Sequence, residues 1–148
     1  MIMNITILCV GKLKEKYWVD AAAEYVKRLS KYCTLQIDEL KESAPDGEGA
    51  AIIKRVKKED FVIALEVSGV ETDSVGFADK LAALSVSGKN RLVFIIGGSD
   101  GLSTEALNIA DFRLSFSKMT FPRQLMRVIL LEQLYRGFKI INNEKYHK

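Results

Sequence analysis

Residues 92–101 read LVFIIGGSDG. The apolar run Leu92–Ile96 is too short for a helix and long enough for a buried strand. Two glycines end it at once, and glycine lets a backbone turn tightly and approach a neighbour closely. Ser103-Thr104-Glu105 then offers a capped helix start ahead of Ala106, Leu107, Ile109 and Ala110. Strand, tight turn and helix in direct succession form the repeating unit of an α/β sheet.

The same unit recurs on either side. Ile5–Val10 reads as a buried strand closed by Gly11. Glu15–Tyr32 has helical spacing, with Trp18, Ala22, Tyr25, Val26 and Leu29 along one side. Thr34–Leu40 is a second strand, and SAPDGEG at 43–49 is the clearest loop. A helix follows to about Lys58, with Ile52, Ile53 and Val56 expected inward. Phe61–Val67 is a third strand. Thr72 or Asp73 caps a helix to about Leu84, through Val75, Phe77, Ala78 and Leu81. Phe112, Leu114 and Phe116 alternate with polar residues in a fifth strand, and Pro122 opens a helix to about Phe138. The pattern predicts an α/β fold: a mostly parallel sheet with helices on both faces, in one domain spanning residues 1–148. Such sheets bind ligands beyond the carboxyl ends of their strands, here the loops 67–71, 97–101 and 117–121.

Composition narrows the function. The 148 residues are 48% hydrophobic and 28% charged, ordinary for one globular domain. No apolar run approaches the ~18 residues of a membrane span, and the first residues lack the features of a signal peptide. Cys9 and Cys33 are therefore expected as reduced thiols in the cytoplasm. One histidine and two distant cysteines argue against a zinc site. Charge is uneven: residues 1–112 carry 14 Lys+Arg against 17 Asp+Glu, and residues 113–148 carry 8 against 2. The last quarter thus points to an anionic partner such as RNA, or to a solvated basic surface.

The chemistry is bounded by what is missing. GGSDG is neither of the glycine-rich phosphate motifs, and Asp100 would repel a phosphate. On its own the turn admits a purely structural reading. There is no G-x-S-x-G elbow, and the one histidine is residue 147. A reaction without metal or protein nucleophile fits better, and methyl transfer from a sulfonium cofactor is one. SFSKMTFP at 115–122 then has two readings: Phe116, Met119 and Phe121 fill the core, or they wall a cofactor whose polar edges meet backbone groups. The last helix is apolar at nearly every angle, which predicts burial on more than one side, either central to one core or against a second copy of the chain.

Four segments in order, IIGGSDGL at 95–102, LSFSKMTFP at 114–122, RVILLEQLYRGFKI at 127–140 and YHK at the carboxyl end, resemble the SPOUT-class ribosomal RNA large subunit methyltransferase H family. The likeness spans the chain and is strongest from Leu65 onward. It implies S-adenosylmethionine-dependent N3-methylation of a pseudouridine in helix 69 of 23S rRNA, on assembled ribosomes. It further implies a C-terminal trefoil knot, which general folding rules would argue against, and a homodimer. By motif, Leu65, Gly97, Phe116, Ser117, Lys118, Met119, Thr120 and Phe121 match the family's cofactor positions. Arg136, Tyr146, His147 and Lys148 match those around the target base, with tail residues approaching the cofactor of the other subunit. His147 is either a general base or a hydrogen-bond partner. Arg123 stands where the family often has histidine. The alternative class is a non-catalytic knotted RNA-binding protein; a nucleotide hydrolase is disfavoured by the absent phosphate loop.

Overall fold

The computed structural model of the chain describes residues 2–148. Five strands, β1 (Met3–Val10), β2 (Cys33–Leu40), β3 (Phe61–Glu71), β4 (Arg91–Ile96) and β5 (Phe112–Ser115), form one sheet in the order β2-β1-β4-β3-β5. Every neighbouring pair is parallel. Five helices connect and cover them: α1 (Lys16–Leu29), α2 (Pro45–Arg55), α3 (Ser74–Val86), α4 (Thr104–Asn108) and α5 (Arg123–Ile141). No described helix is long and apolar enough to cross a membrane.

Strand periodicity divides the core into two layers. Ile5, Ile7 and Cys9 of β1, Ile63 and Leu65 of β3, and Leu92, Phe94 and Ile96 of β4 face α1, α3 and α5. Leu8, Val62, Ala64, Val93 and Ile95 face α2 and α4, where Ile52 and Ala106 are buried. The alternating α/β reading therefore holds, and both faces are covered. Helix capping follows chemistry: Asp73 and Ser103 accept from the backbone N–H of Gly76 and Ala106.

Some expectations shift. The stretch 43–49 is not a loop throughout, because α2 begins at Pro45. Proline at the first helical position, with Asp46 and Glu48 in the first turn, is a helix-start signal that outweighs two glycines. Ile53, expected inward, is exposed. β3 runs past Val67 to Glu71, but its register with β5 shifts between Leu65 and Val70, leaving 66–69 outside that ladder.

From Arg123 to Ile140 every residue of α5 is at least partly covered. Arg127, Leu130, Leu131, Leu134, Tyr135 and Phe138 are its buried stripe. Arg127 is the exception in chemistry: only 3% exposed, it donates from Nη1 to Glu39 Oε2 at 2.6 Å and from Nη2 to the Gly11 carbonyl at 2.9 Å. Four residues earlier, Arg123 pairs with Glu42. The start of α5 is thus fastened to the ends of β1 and β2. Removing one member of a buried pair strands the other. Arg127→Ala is expected to lower unfolding free energy by about 3 kcal/mol, and Glu39→Gln, whose carboxylate is partly solvated, by about 1 kcal/mol. Urea denaturation measures both, and equal effects would contradict this account.

Candidate active site

With all strands parallel, their carboxyl ends lie along one edge of the sheet. There, a cleft of about 730 Å³ opens between three segments. The end of β3 contributes Leu65, Glu66 and Val67. The turn after β4 contributes Gly97, Gly98, Ser99 and Gly101. The loop between β5 and α5 contributes Phe116, Ser117, Met119, Thr120, Phe121 and Pro122, followed by Arg123, Gln124 and Met126 of α5. The loops expected at 97–101 and 117–121 are two of these walls, whereas the stretch 67–71, expected as a loop, belongs to β3 and adds only Val67.

Each wall has a local cause. The register shift in β3 releases Glu66–Gly69 from pairing just where the cleft begins. In the glycine turn, Gly101 N–H donates to the Gly98 carbonyl at 3.0 Å. Gly101 holds φ at 79°, and a Cβ on Gly97 would lie 2.5 Å from the Gly101 carbonyl carbon. Both positions therefore need glycine. In the third wall the Ser115 hydroxyl donates to the Ser117 carbonyl at 2.9 Å, and Ser117 Oγ accepts from Met119 N–H at 3.0 Å. Phe116 turns inward against Phe77, with ring centroids 6.4 Å apart. Met119 is 73% exposed. The two readings of SFSKMTFP thus divide: Phe116 joins the core and also lines the cleft, while Met119 stands at its mouth.

Seven of the eight cofactor positions expected from the resemblance line this cleft: Leu65, Gly97, Phe116, Ser117, Met119, Thr120 and Phe121. Lys118 does not; it is exposed and outside the lining. Glu66 is the one carboxylate lining the cleft, and Arg123 the one cation, already paired with Glu42.

The other four expected residues gather elsewhere. α5 ends in a Schellman turn: Asn143 takes φ of 55°, its N–H donates to the Ile140 carbonyl, and Glu144 N–H donates to the Lys139 carbonyl. The tail therefore folds back. Glu144 accepts from the Tyr32 hydroxyl at 2.8 Å, and the Tyr146 ring meets Tyr135 edge-on at 4.8 Å. Glu132, which the sequence reading missed, is the hub. It accepts from Arg136 Nη2 and from the Tyr146 hydroxyl, both at 2.8 Å. Burial and the Glu132 hydrogen bond raise the Tyr146 phenol, so it stays a donor. The Glu132 hydrogen bond likewise raises Arg136. Arg136 also stands over the Tyr146 ring at 4.7 Å. Lys148 is exposed at the end of this group.

The histidine contact is informative. Arg136 Nη1 lies 3.1 Å from His147 Nδ1. Arginine offers only donors, so Nδ1 accepts and the imidazole proton sits on Nε2. His147 therefore presents an N–H outward, not a lone pair. Arg136 stands thirteen residues beyond Arg123 on the same helix. At the helical rise Arg136 stands roughly 15 Å along α5 from Met126, the last residue of that helix in the cleft lining.

Neither cysteine is poised for chemistry. Burial pushes the Cys9 and Cys33 thiols up to about 11 from 9.0. No cluster among the described residues has the makings of a metal site.

Comparison with known proteins agrees with this geometry. A family model described as "Predicted SPOUT methyltransferase" matches residues 3–147. A protein of Clostridium novyi (strain NT), named "Ribosomal RNA large subunit methyltransferase H", is 52% identical, with 99% of this chain and 100% of that protein covered. One of the same name from Clostridium tetani is 50% identical with the same coverage. Among solved structures, "a probable methylase family protein from Haemophilus influenzae Rd KW20" matches with a TM-score of 0.60 at 17% identity, over 100% of this chain and 72% of that one, a likeness of fold.

A rise of the thiols to about 11 leaves about a hundredfold less thiolate at pH 8 than an ordinary cysteine has. Both cysteines should thus react at least ~100 times more slowly with a soluble disulfide reagent in the folded protein than after unfolding. Rapid labelling of either one in the native state would contradict the exclusion of thiol chemistry.

Proposed function

Because the chain belongs to the SPOUT methyltransferase family, in its ribosomal RNA large subunit methyltransferase H branch, we propose that it methylates N3 of a pseudouridine in helix 69 of 23S rRNA, on assembled ribosomes, with S-adenosylmethionine as donor. The observation that carries this is the meeting of Leu65, Gly97 and the 116–121 run in one cleft. Its volume falls in the usual range for small-molecule sites. Its lining suits an adenosine and a methionine tail: apolar walls from Leu65, Phe116, Phe121 and Met126, and bare backbone along Gly97–Gly101. Glu66 suits a ligand that carries a positive sulfonium. A cytoplasmic location goes with this substrate.

The donor, when bound, supplies an electrophilic methyl group. The chain's own task is to hold the base in line with it and to stabilise the anion left as N3 loses its proton. Arg136 supplies positive charge, and its pairing with Glu132 fixes its direction. His147, a donor through Nε2 in this arrangement, suits a carbonyl oxygen that flanks N3, where the negative charge spreads, while Tyr146 spends its hydroxyl proton on Glu132 and holds that carboxylate in place. His147 acts as a hydrogen-bond donor through Nε2, with no general-base role, and Lys148 adds charge at the tail.

The roughly 15 Å along α5 between Met126 at the cleft and Arg136 supports a site shared between two copies. Leu125, Val128, Ile129, Glu132 and Arg136 recur at helical spacing on one side of α5, opposite its buried stripe. A second copy docking on Leu125, Val128 and Ile129 would meet Arg136 on the same face, so the homodimer and the composite site are one proposal. The trefoil knot belongs to the same reading: after edge strand β5 the chain returns across the sheet, and α5 begins beside Gly11 at the far side of β4.

Deleting Tyr146–Lys148 is expected to abolish methylation while calorimetry with S-adenosylmethionine gives a Kd within about threefold of the intact protein. Near-normal turnover would remove the tail from the mechanism, and absence of binding by the intact protein would favour a non-catalytic RNA-binding role. His147→Gln keeps an N–H near the Nε2 position. It should lose less than about tenfold in kcat and keep the acidic limb of its pH–rate profile, whereas loss of a general base costs about 10²–10⁴. A loss in that range, with a vanished acidic limb, would restore the base assignment.

A further inference from the structure

The edge of the sheet that holds the cleft also holds the loops after β1 and β2, and neither has a role in the reading above. The loop 11–15 is anchored at three points. Arg127 Nη2 donates to the Gly11 carbonyl at 2.9 Å, Leu13 N–H donates to Glu39 Oε2 at 3.3 Å, and the Leu13 side chain packs on the core. With Leu13 held inward, its neighbours Lys12 and Lys14 are both exposed. Gly11 lies against the cleft-lining Arg123: a Cβ there would be 3.4 Å from the guanidinium. Lys12 and Lys14 therefore flank the cleft on its β1 side. Lys41, the first residue after β2, is exposed and extends the row.

Their charge is not neutralised locally. Glu39 and Glu42 stand at the same end of β2, but Glu39 is held by Arg127 and Glu42 by Arg123. Lys16, one turn along, bonds Asp20 at 2.6 Å, and Glu15 is exposed between. Lys12, Lys14 and Lys41 have no ion pair among the described residues. Across the cleft the sign reverses, with Glu66 at the end of β3 and an exposed Asp100 in the glycine turn. Buried Arg127 and half-buried Arg123 thus consume the acids on one side of the cleft and leave that side basic.

We propose that Lys12, Lys14 and Lys41 form a phosphate-binding rim that carries the sugar–phosphate backbone flanking the target nucleotide, so that RNA reaches the cleft over β1 and β2. This rests on the RNA-methyltransferase reading above. Phosphate contacts position a nucleic acid without reading its sequence, and each lysine that neutralises a phosphate adds about one to the salt dependence of binding. Lys12 and Lys14 stand on a backbone fixed by a buried guanidinium, so they meet the RNA without ordering a loop first.

The test measures methylation of 23S rRNA in purified ribosomes that lack the modification, across a series of potassium chloride concentrations. Lys12→Gln/Lys14→Gln is expected to raise KM about 5- to 20-fold, to reduce the slope of log KM against log salt by about 1 to 2, and to leave kcat and the calorimetric Kd for S-adenosylmethionine unchanged. Lys57→Gln/Lys58→Gln removes the same charge at the opposite edge of the sheet and should change nothing. An equal effect in that control reduces the result to net charge and overturns the rim. An unchanged slope in the Lys12/Lys14 variant, with the wild type methylating normally, overturns the rim and spares the enzyme reading. A wild-type protein that does not methylate these ribosomes removes both.

Discussion

One buried guanidinium ties the end of this chain to its beginning. Arg127 reaches from α5 to the Gly11 carbonyl and to Glu39, the last turns of β1 and β2. The contact fixes where α5 starts, and the loop 116–121 carries the chain from edge strand β5 back across the sheet to that start. The third wall of the cleft is further held by the short bonds of Ser115 and Ser117, by Phe116 against Phe77, and by the Arg123–Glu42 pair. A charge buried this deeply persists only when it is paired. The fold meets that condition with groups from the neighbouring strands β1 and β2, so the loop 116–121 and the amino-terminal loop take their positions from the same residue.

The cleft and the tail group are built on different physics. The cleft depends on backbone: two glycines without Cβ, a strand released from its ladder, and apolar walls. The tail group depends on side-chain polarity, with Glu132 orienting Arg136 and Tyr146 and with Arg136 selecting the tautomer of His147. Within one chain they stand at the two ends of one helix. Bringing them together through a second copy would let each half-site fold independently of the other.

Much of the architecture was legible because strand alternation and glycine placement are strong signals. Leu92–Ile96 followed by Gly97-Gly98 reads as strand and turn, and all five expected strands are present, though β3 runs on to Glu71 and β5 stops at Ser115, before Phe116. The start of α2 was misjudged because Gly47 and Gly49 look like loop residues; Gly49 is there for close packing against Ser103 of the α4 cap. Seven cleft residues followed from motif likeness, whereas Lys118 did not, since a motif records identity and not the direction of a side chain. Glu132 and Arg127 carried a signal that went unread. Both are charged residues inside the densely apolar stretch 125–138, and Arg127 sits on the stripe of Leu130, Leu131 and Leu134. A charge on a buried stripe needs a partner, but the sequence does not say which of nineteen acids supplies it.

The placement of β4 between β1 and β3 has a consequence for how the protein comes into being. The pairings that build the cleft join residues far apart in sequence, and Arg127 closes on Gly11 across 116 positions. Such long-range closures are slow to form compared with local contacts. A chain still emerging from synthesis has β1, β2 and β3 but neither the glycine turn nor the 116–121 loop, so it has no partial pocket. The cleft is complete only when the start of α5, with Arg123, Gln124 and Met126, is in place.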